Sequence, residues 1–151
     1  MEGFIQLVYD WNPAEAGKEF KQALHRNPEL LVAHIWQGKY LLVTREFEGA
    51  EREFKKAQQL DPTRFGLNVY VGLPSLFAHR YHRAIELFNQ AVQLGHGAEW
   101  AIWMIGQASE EKGDYSAAIE AFRRAEPAFY CAAKQDGLRW CDRQNATIIP
   151  C

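Results

Sequence analysis

The sequence predicts an all-α chain built as a helix–turn–helix repeat solenoid, and three observations predict it. First, an alanine–phenylalanine–alanine pattern with helical spacing occurs four times, as Ala16, Phe20, Ala23, then Ala50, Phe54, Ala57, then Ala84, Phe88, Ala91, then Ala118, Phe122, Ala125. Second, these copies and a glycine column, Gly38, Gly72 and Gly106, all recur at a stride of 34 residues. Third, Phe47, Tyr81 and Tyr115 keep that stride just after each expected turn, where a ring can plug the bottom of a hairpin. A fixed period of this size belongs to stacked helical hairpins, none of which can bury its apolar face alone. Two antiparallel helices joined by a short turn must cross closely, which is why glycine recurs on one helix and alanine on the other.

The elements follow in order. Phe4, Leu7 and Val8 have helical spacing, so a first helix is expected over residues 1–9. Asn12-Pro13-Ala14-Glu15 reads as a helix start: asparagine caps free amides, proline fits the first turn, and Glu15 completes a capping-box-like pattern. That helix turns Ala16, Phe20, Ala23 and Leu24 inward and ends at Asn27-Pro28. The second hairpin takes residues 31–44 and 48–60 and closes at Asp61-Pro62. The third takes 66–78 and 82–94, with a loose stop at Gly95-His96-Gly97. Pro74 falls inside its first helix, where the missing N–H predicts a kink or break. The fourth takes 98–112, the turn Gly113-Asp114-Tyr115, and 116–125.

Pro127 interrupts the pattern; residues 128–141 allow one more helix, and 145–151 a tail. The expected organisation is an array over residues 1–126, with units of about 1–30, 31–64, 65–98 and 99–126, then a capping segment over 127–151. Phe129, Tyr130 and Trp140 are the residues expected to cover the last apolar face.

Composition narrows the function. At 151 residues with 48% hydrophobic and 13% aromatic side chains, the chain can bury a real core. A formal net charge of −2 and a pI near 6.2 give no electrostatic case for nucleic acid or an anionic membrane surface. No apolar run approaches the ~18 residues of a membrane span, and no basic leader precedes an apolar segment, so cytoplasmic residence is expected. Cys131, Cys141 and Cys151 are odd in number and lie outside the repeat columns, so reduced thiols without a role are expected.

The columns, over residues 4–125, resemble tetratricopeptide repeats. Tyr9-Asp10-Trp11-Asn12 with Ala16 and Phe20, then Ala33-His34-Ile35-Trp36, is also similar to arrays attached to bacterial regulatory proteins. The resemblance implies a right-handed solenoid of about three and a half units whose first helices line a concave groove that binds peptides or proteins. Columns where the family often has large aromatics hold His34, Leu41, Asn68, Ser75 and Ser109 here, and the closing proline is replaced near His96, so the third unit is the least regular.

Placing the shared register on helical geometry predicts the groove-facing side chains. They are Ile5 and Tyr9; Ile35, Trp36 and Lys39; Val69, Tyr70, Leu73 and Phe77; Trp100, Trp103, Met104 and Gln107. Each aromatic ring can bury ~150–250 Å², and aromatic side chains dominate binding energy at interfaces. Some tetratricopeptide arrays hold a C-terminal carboxylate with a clamp of Lys, Asn and Arg. The matching columns here are mostly apolar, with Lys39 the main cation, so an apolar or amphipathic helical segment is the expected ligand.

The remaining motifs point to no chemistry. His79-Arg80-Tyr81-His82 spaces two histidines one helical turn apart, but no cysteine or carboxylate lies close in sequence and solvated surface histidines are expected. Glu51-Arg52-Glu53 and Lys55-Lys56 read as the wet side of a helix. No nucleophile elbow, phosphate loop or catalytic dyad is present, so no enzyme and no cofactor are expected. The function predicted is a protein- or peptide-binding scaffold. The alternative is a self-association module using the groove or a solenoid end, and a thiol or metal site at the three cysteines is a remote third.

Overall fold

The computed structural model describes the backbone of residues 13–64, 66–95 and 98–135 and the side chains of 15–64, 66–95 and 98–125. The helix expected over 1–9, the cap at Asn12, groove positions Ile5 and Tyr9, the three cysteine side chains and the rings of Phe129, Tyr130 and Trp140 lie outside that description. Among the described residues every regular element is helical: α1 Pro13–Arg26, α2 Leu31–Val43, α3 Phe47–Leu60, α4 Leu67–Tyr70, α5 Leu73–Phe77, α6 Tyr81–Leu94, α7 Ala98–Lys112 and α8 Tyr115–Gln135. Hairpins form between α2 and α3, between α4–α5 and α6, and between α7 and α8, each packed on its neighbour as a helical-repeat solenoid.

The repeat columns do what their chemistry requires. Ala16, Ala50, Ala84 and Ala118 are buried, as are Phe20, Phe54 and Phe88. A Cβ at Gly38 would lie 2.5 Å from the Phe54 ring, at Gly72 2.4 Å from Phe88, and at Gly106 2.5 Å from Phe122. The glycine column is thus the seat of the phenylalanine column, each ring lying on the glycine of its own hairpin. The same Phe54 ring also meets Tyr70 of the following unit, with centroids 5.4 Å apart. Both the intra-hairpin gap and the gap to the next unit are closed by one side chain.

Each hairpin turns through the same backbone device. Arg45 (φ 62°), His79 (φ 58°) and Gly113 (φ 87°) occupy the left-handed region at a common register position. Around them Glu46 N–H bonds Leu41 O at 2.8 Å, Arg80 N–H bonds Ser75 O at 2.8 Å, and Asp114 N–H bonds Ser109 O at 2.9 Å. These six-to-one bonds, with Arg45 to Leu42, His79 to Leu76 and Gly113 to Glu110, make three Schellman stops. Phe47, Tyr81 and Tyr115 follow as the first residue of each second helix. Phe47 and Tyr81 are partly buried there, whereas Tyr115, expected as the last plug, is 67% exposed. Between units, Asn27 and Asp61 accept the amides of Glu29 and Thr63, closing Asx turns at the two proline stops.

Two irregularities stand out. The third unit's first helix is broken as Pro74 predicts: α4 ends at Tyr70, Gly72 N–H bonds Val69 O in a tighter turn, and α5 restarts with Pro74 in its first turn. The opposite holds at Pro127, where an interruption is expected and α8 instead runs unbroken through 21 residues. A single proline removes one donor from the ladder, and a helix of that length retains the rest.

Across the second-helix face, α3 and α6 are strapped together. Arg80 bonds Glu48 at 2.7 Å, and Arg83 bonds Glu51 at 2.7 Å while Lys55 reaches the same Glu51 oxygen at 2.8 Å.

A candidate protein-binding surface

The first helices of successive hairpins present a run of half-buried rings. Trp36 on α2 stacks on Phe20 of α1, with centroids 6.5 Å apart and planes 16° from parallel. The Lys39 ammonium, one turn on, lies 4.3 Å from the Trp36 ring centroid and 5.1 Å from that of Tyr70 on α4. Tyr70 in turn meets Trp100 of α7 edge to face at 5.5 Å. The run Trp36–Lys39–Tyr70–Trp100 therefore crosses three units, with a cation held over two π faces in its middle.

Trp100 reaches Tyr70 because residue 66 is glycine. A Cβ there would stand 2.9 Å from the indole, and the backbone, at φ 85°, is one that side-chain-bearing residues rarely adopt. Trp103, also half-buried, lies against Phe122 of α8 at 6.2 Å rather than in this run.

Toward the C-terminal ends of the same helices the surface deepens into a hollow of about 730 Å³. Phe77, 57% exposed, and Val43, 48% exposed, are its apolar rims. Arg45, Arg80, Glu110 and Glu111 are its charged lining residues. Arg80 also serves the strap to Glu48, whose carboxyl is held below the usual range by the Arg80 hydrogen bond first, then by a backbone bond and the guanidinium charge.

The expected groove residues are not all brought together. Trp36, Lys39, Tyr70 and Trp100 form the run, while Phe77, Met104 and Gln107 line the hollow. Ile35 and Val69 are buried, packed against Ala57 and Leu67 and within the α6–α7 core respectively, and Met104 is 95% buried beside Val69. Ile35 and Val69 point between neighbouring helices and support the surface from beneath, while Met104 belongs both to that core and to the lining of the hollow. Leu73 is half-buried against the α6–α7 core. Val43, Arg45 and Glu111 were not among the expected residues, yet Val43 and Glu111 share the register column of Phe77, which is the signal that would have found them.

His34 is a buried residue held on both sides: Nδ1 lies 2.7 Å from Glu53 Oε2 and Nε2 2.8 Å from the Pro28 carbonyl oxygen. His79 is hydrogen-bonded through Nδ1 to the Tyr81 hydroxyl at 2.6 Å. Among the described residues no group of three or more His, Cys, Asp or Glu is placed to hold a metal, and no helix is long and apolar enough to cross a membrane.

Several solved structures share this architecture. A crystal structure of MamA is 21% identical and covers 91% of this chain and 85% of its own, with a TM-score of 0.65. A second crystal structure of MamA protein is 18% identical, covers 98% of this chain and 75% of its own, and gives a TM-score of 0.69. The structure described as MamA MSR-1 C2 is 17% identical, covering 87% and 75%, with a TM-score of 0.68. At these identities the likeness is one of fold. No curated protein matches the chain. The tetratricopeptide repeat family, a fold of protein-interaction scaffolds, matches residues 7–64 and 76–130, and with its columns seated as that architecture requires, the chain belongs to the tetratricopeptide repeat family.

Proposed function

We propose that the chain is a non-enzymatic scaffold that binds a protein or peptide along the first-helix surface. The ligand is an apolar or amphipathic helical segment, its anchors lying on Trp36, Tyr70 and Trp100 and in the hollow at Phe77. The observation that carries this reading is the Lys39 ammonium lying over two half-buried rings. The two cation–π contacts offset the cost of ordering this flexible side chain, and an acidic side chain on a ligand would meet a cation already positioned.

Selection of helical peptides from a display library against the intact chain tests it. The expected outcome is a consensus with apolar residues at helical spacing and an acidic residue alongside. Lys39→Glu should weaken the selected peptides about tenfold or more, and Trp36→Ala with Trp100→Ala should abolish binding while circular dichroism stays near wild type. Equal binding by these variants, or a consensus without spaced apolar anchors, rejects the reading.

Self-association is the second reading, and one observation favours it: Tyr115 and Ile119 of α8 are 67% and 52% exposed. Light scattering across concentrations separates the two, because a dimer that Ile119→Lys disperses supports self-association and a monomer with bound peptide does not.

A further inference from the structure

We infer that the hollow beside Phe77 seats a helical partner segment with acidic residues at one end, apolar residues in its middle and basic residues at the other, an assignment that rests on the first-helix binding proposed above and adds the order of the ligand's charges.

The array sets the hollow's own charges in order. Arg45 belongs to the turn of the second hairpin, and Arg80, in the third, reaches back to Glu48 of α3 at 2.7 Å. Glu110 and Glu111 belong to α7, in the fourth. Phe77, exposed at the end of α5, lies in the unit between. All five of Arg45, Phe77, Arg80, Glu110 and Glu111 line the same hollow of about 730 Å³. Two guanidiniums therefore lie toward one end of the array and two carboxylates toward the other, with an exposed ring between them.

The fold itself gains little from three of these charges. Arg45 has φ 62° at the register position that Gly113 fills in the last hairpin, so a side chain there is a backbone cost, although its cation suits the end of α2. Glu110 and Glu111 stand in the last turn of α7, where the helix dipole disfavours a carboxylate. Among the described residues, none of the three makes a side-chain hydrogen bond or ion pair. Charges that cost the fold and meet nothing inside it are suited to groups on another molecule.

The shape decides between two such molecules. A second copy related by a twofold axis would bring a hollow against a hollow and leave the space unfilled. A convex helical segment fills it with apolar side chains, while its ends reach the guanidiniums and the carboxylates. Glu48 takes one bond of Arg80, and a guanidinium has further N–H groups for a ligand.

Three capped helical peptides with the same leucine-rich centre, titrated into the full chain by calorimetry, test this. One carries glutamates at its first end and lysines at its last, one glutamates at both ends, one lysines at both. The mixed peptide should bind about tenfold tighter than either other. Glu110→Lys with Glu111→Lys should make the all-glutamate peptide the tightest, while the melting temperature holds or rises because the dipole now favours the charges. An order set by peptide helicity alone would not change in this way. Arg45→Gly should weaken the mixed peptide about threefold although it relieves the backbone.

Equal affinities for the three peptides, or an unchanged order in the folded lysine variant, overturns the assignment. If the peptides then still lose binding on Trp36→Ala with Trp100→Ala, first-helix binding stands without it; if no peptide binds at all, both fall. A dimer in light scattering that Phe77→Asp disperses gives the hollow to a second copy and overturns the assignment as well.

Discussion

At the scale of single residues, glycine in this chain is mainly a rule about space. Gly38, Gly72 and Gly106 sit in helical or near-helical backbone, and each is held to glycine by a phenylalanine ring at 2.4–2.5 Å from where a Cβ would stand. Gly38→Ala and Gly72→Ala should therefore cost ~1–3 kcal/mol by overpacking, read as a lower urea midpoint at unchanged slope. A gain in stability, as the helix propensity of alanine alone would give, would contradict the packing described. The left-handed turn positions invert the argument. Arg45 and His79 adopt positive φ with a side chain, whereas their register mate is Gly113. Arg45→Gly should stabilise the fold by up to ~1 kcal/mol; His79→Gly should gain less, because it also removes the bond to Tyr81.

The residue scale is also where the sequence was most and least informative. The alanine, phenylalanine and glycine columns were legible because packing between identical hairpins demands the same volume at the same place each time. Exposure of individual groove residues was not legible. A column position such as 36, 70 and 104 holds Trp36 and Tyr70 half-buried and Met104 buried, and which side chain surfaces depends on the size of its neighbours in adjacent units. Trp100 was placed on the groove by register, but its contact with Tyr70 depends on Gly66, a relation between units that no periodicity within one helix reveals.

At the scale of elements, second helices α3 and α6 are joined by charge as well as by packing. Burial alone would raise the Glu51 carboxyl, yet hydrogen bonds from Lys55 and Arg83 and their charges outweigh it and leave the group below its ordinary value of 4.5. A folded-state value below the unfolded one means this strap stabilises the fold above about pH 4.5 and loses that contribution as pH falls through the lowered folded value. Glu51→Gln should accordingly lower the melting temperature near neutral pH, with the difference from wild type shrinking on acidification below that range. A difference that persists unchanged in acid would assign the effect to packing. The Glu51–Arg83 pair has no counterpart in the next pair of second helices, because the positions one period after them are Ile85 and Ala117.

The element scale also explains the two proline outcomes. Pro74 lies two residues beyond Gly72, so a lost donor and a flexible residue coincide and the helix parts there. Pro127 has Ala125 and Ala128 about it and no glycine nearby, and α8 continues. Proline alone predicts a kink or break at Pro74 and an interruption at Pro127; the company it keeps decides.

For the whole molecule, stability passes from neighbour to neighbour. Phe88 is fully buried in the cluster that joins the third unit to α7. Phe88→Ala should cost ~3–5 kcal/mol, a large share of a domain's total. In a linear array such a loss also uncouples the ends. Hydrogen exchange followed by mass spectrometry should show α6–α8 opening at lower denaturant than α1–α3, whereas the wild type opens as one. Coincident opening in the variant would indicate a core shared beyond nearest neighbours.

The parted helix of the third unit has a mechanical consequence. A coil of stacked hairpins drawn out by its ends behaves as a spring, and a spring yields at its softest winding. Here that winding is the one whose inner helix is two short pieces meeting at Val71 and Gly72, while the outer straps from Glu48 and Glu51 resist separation on the other side. Under tension the chain should flex open inward at this point before any hairpin comes apart, changing its curvature, and with it the fit of whatever it holds, while every hairpin stays folded.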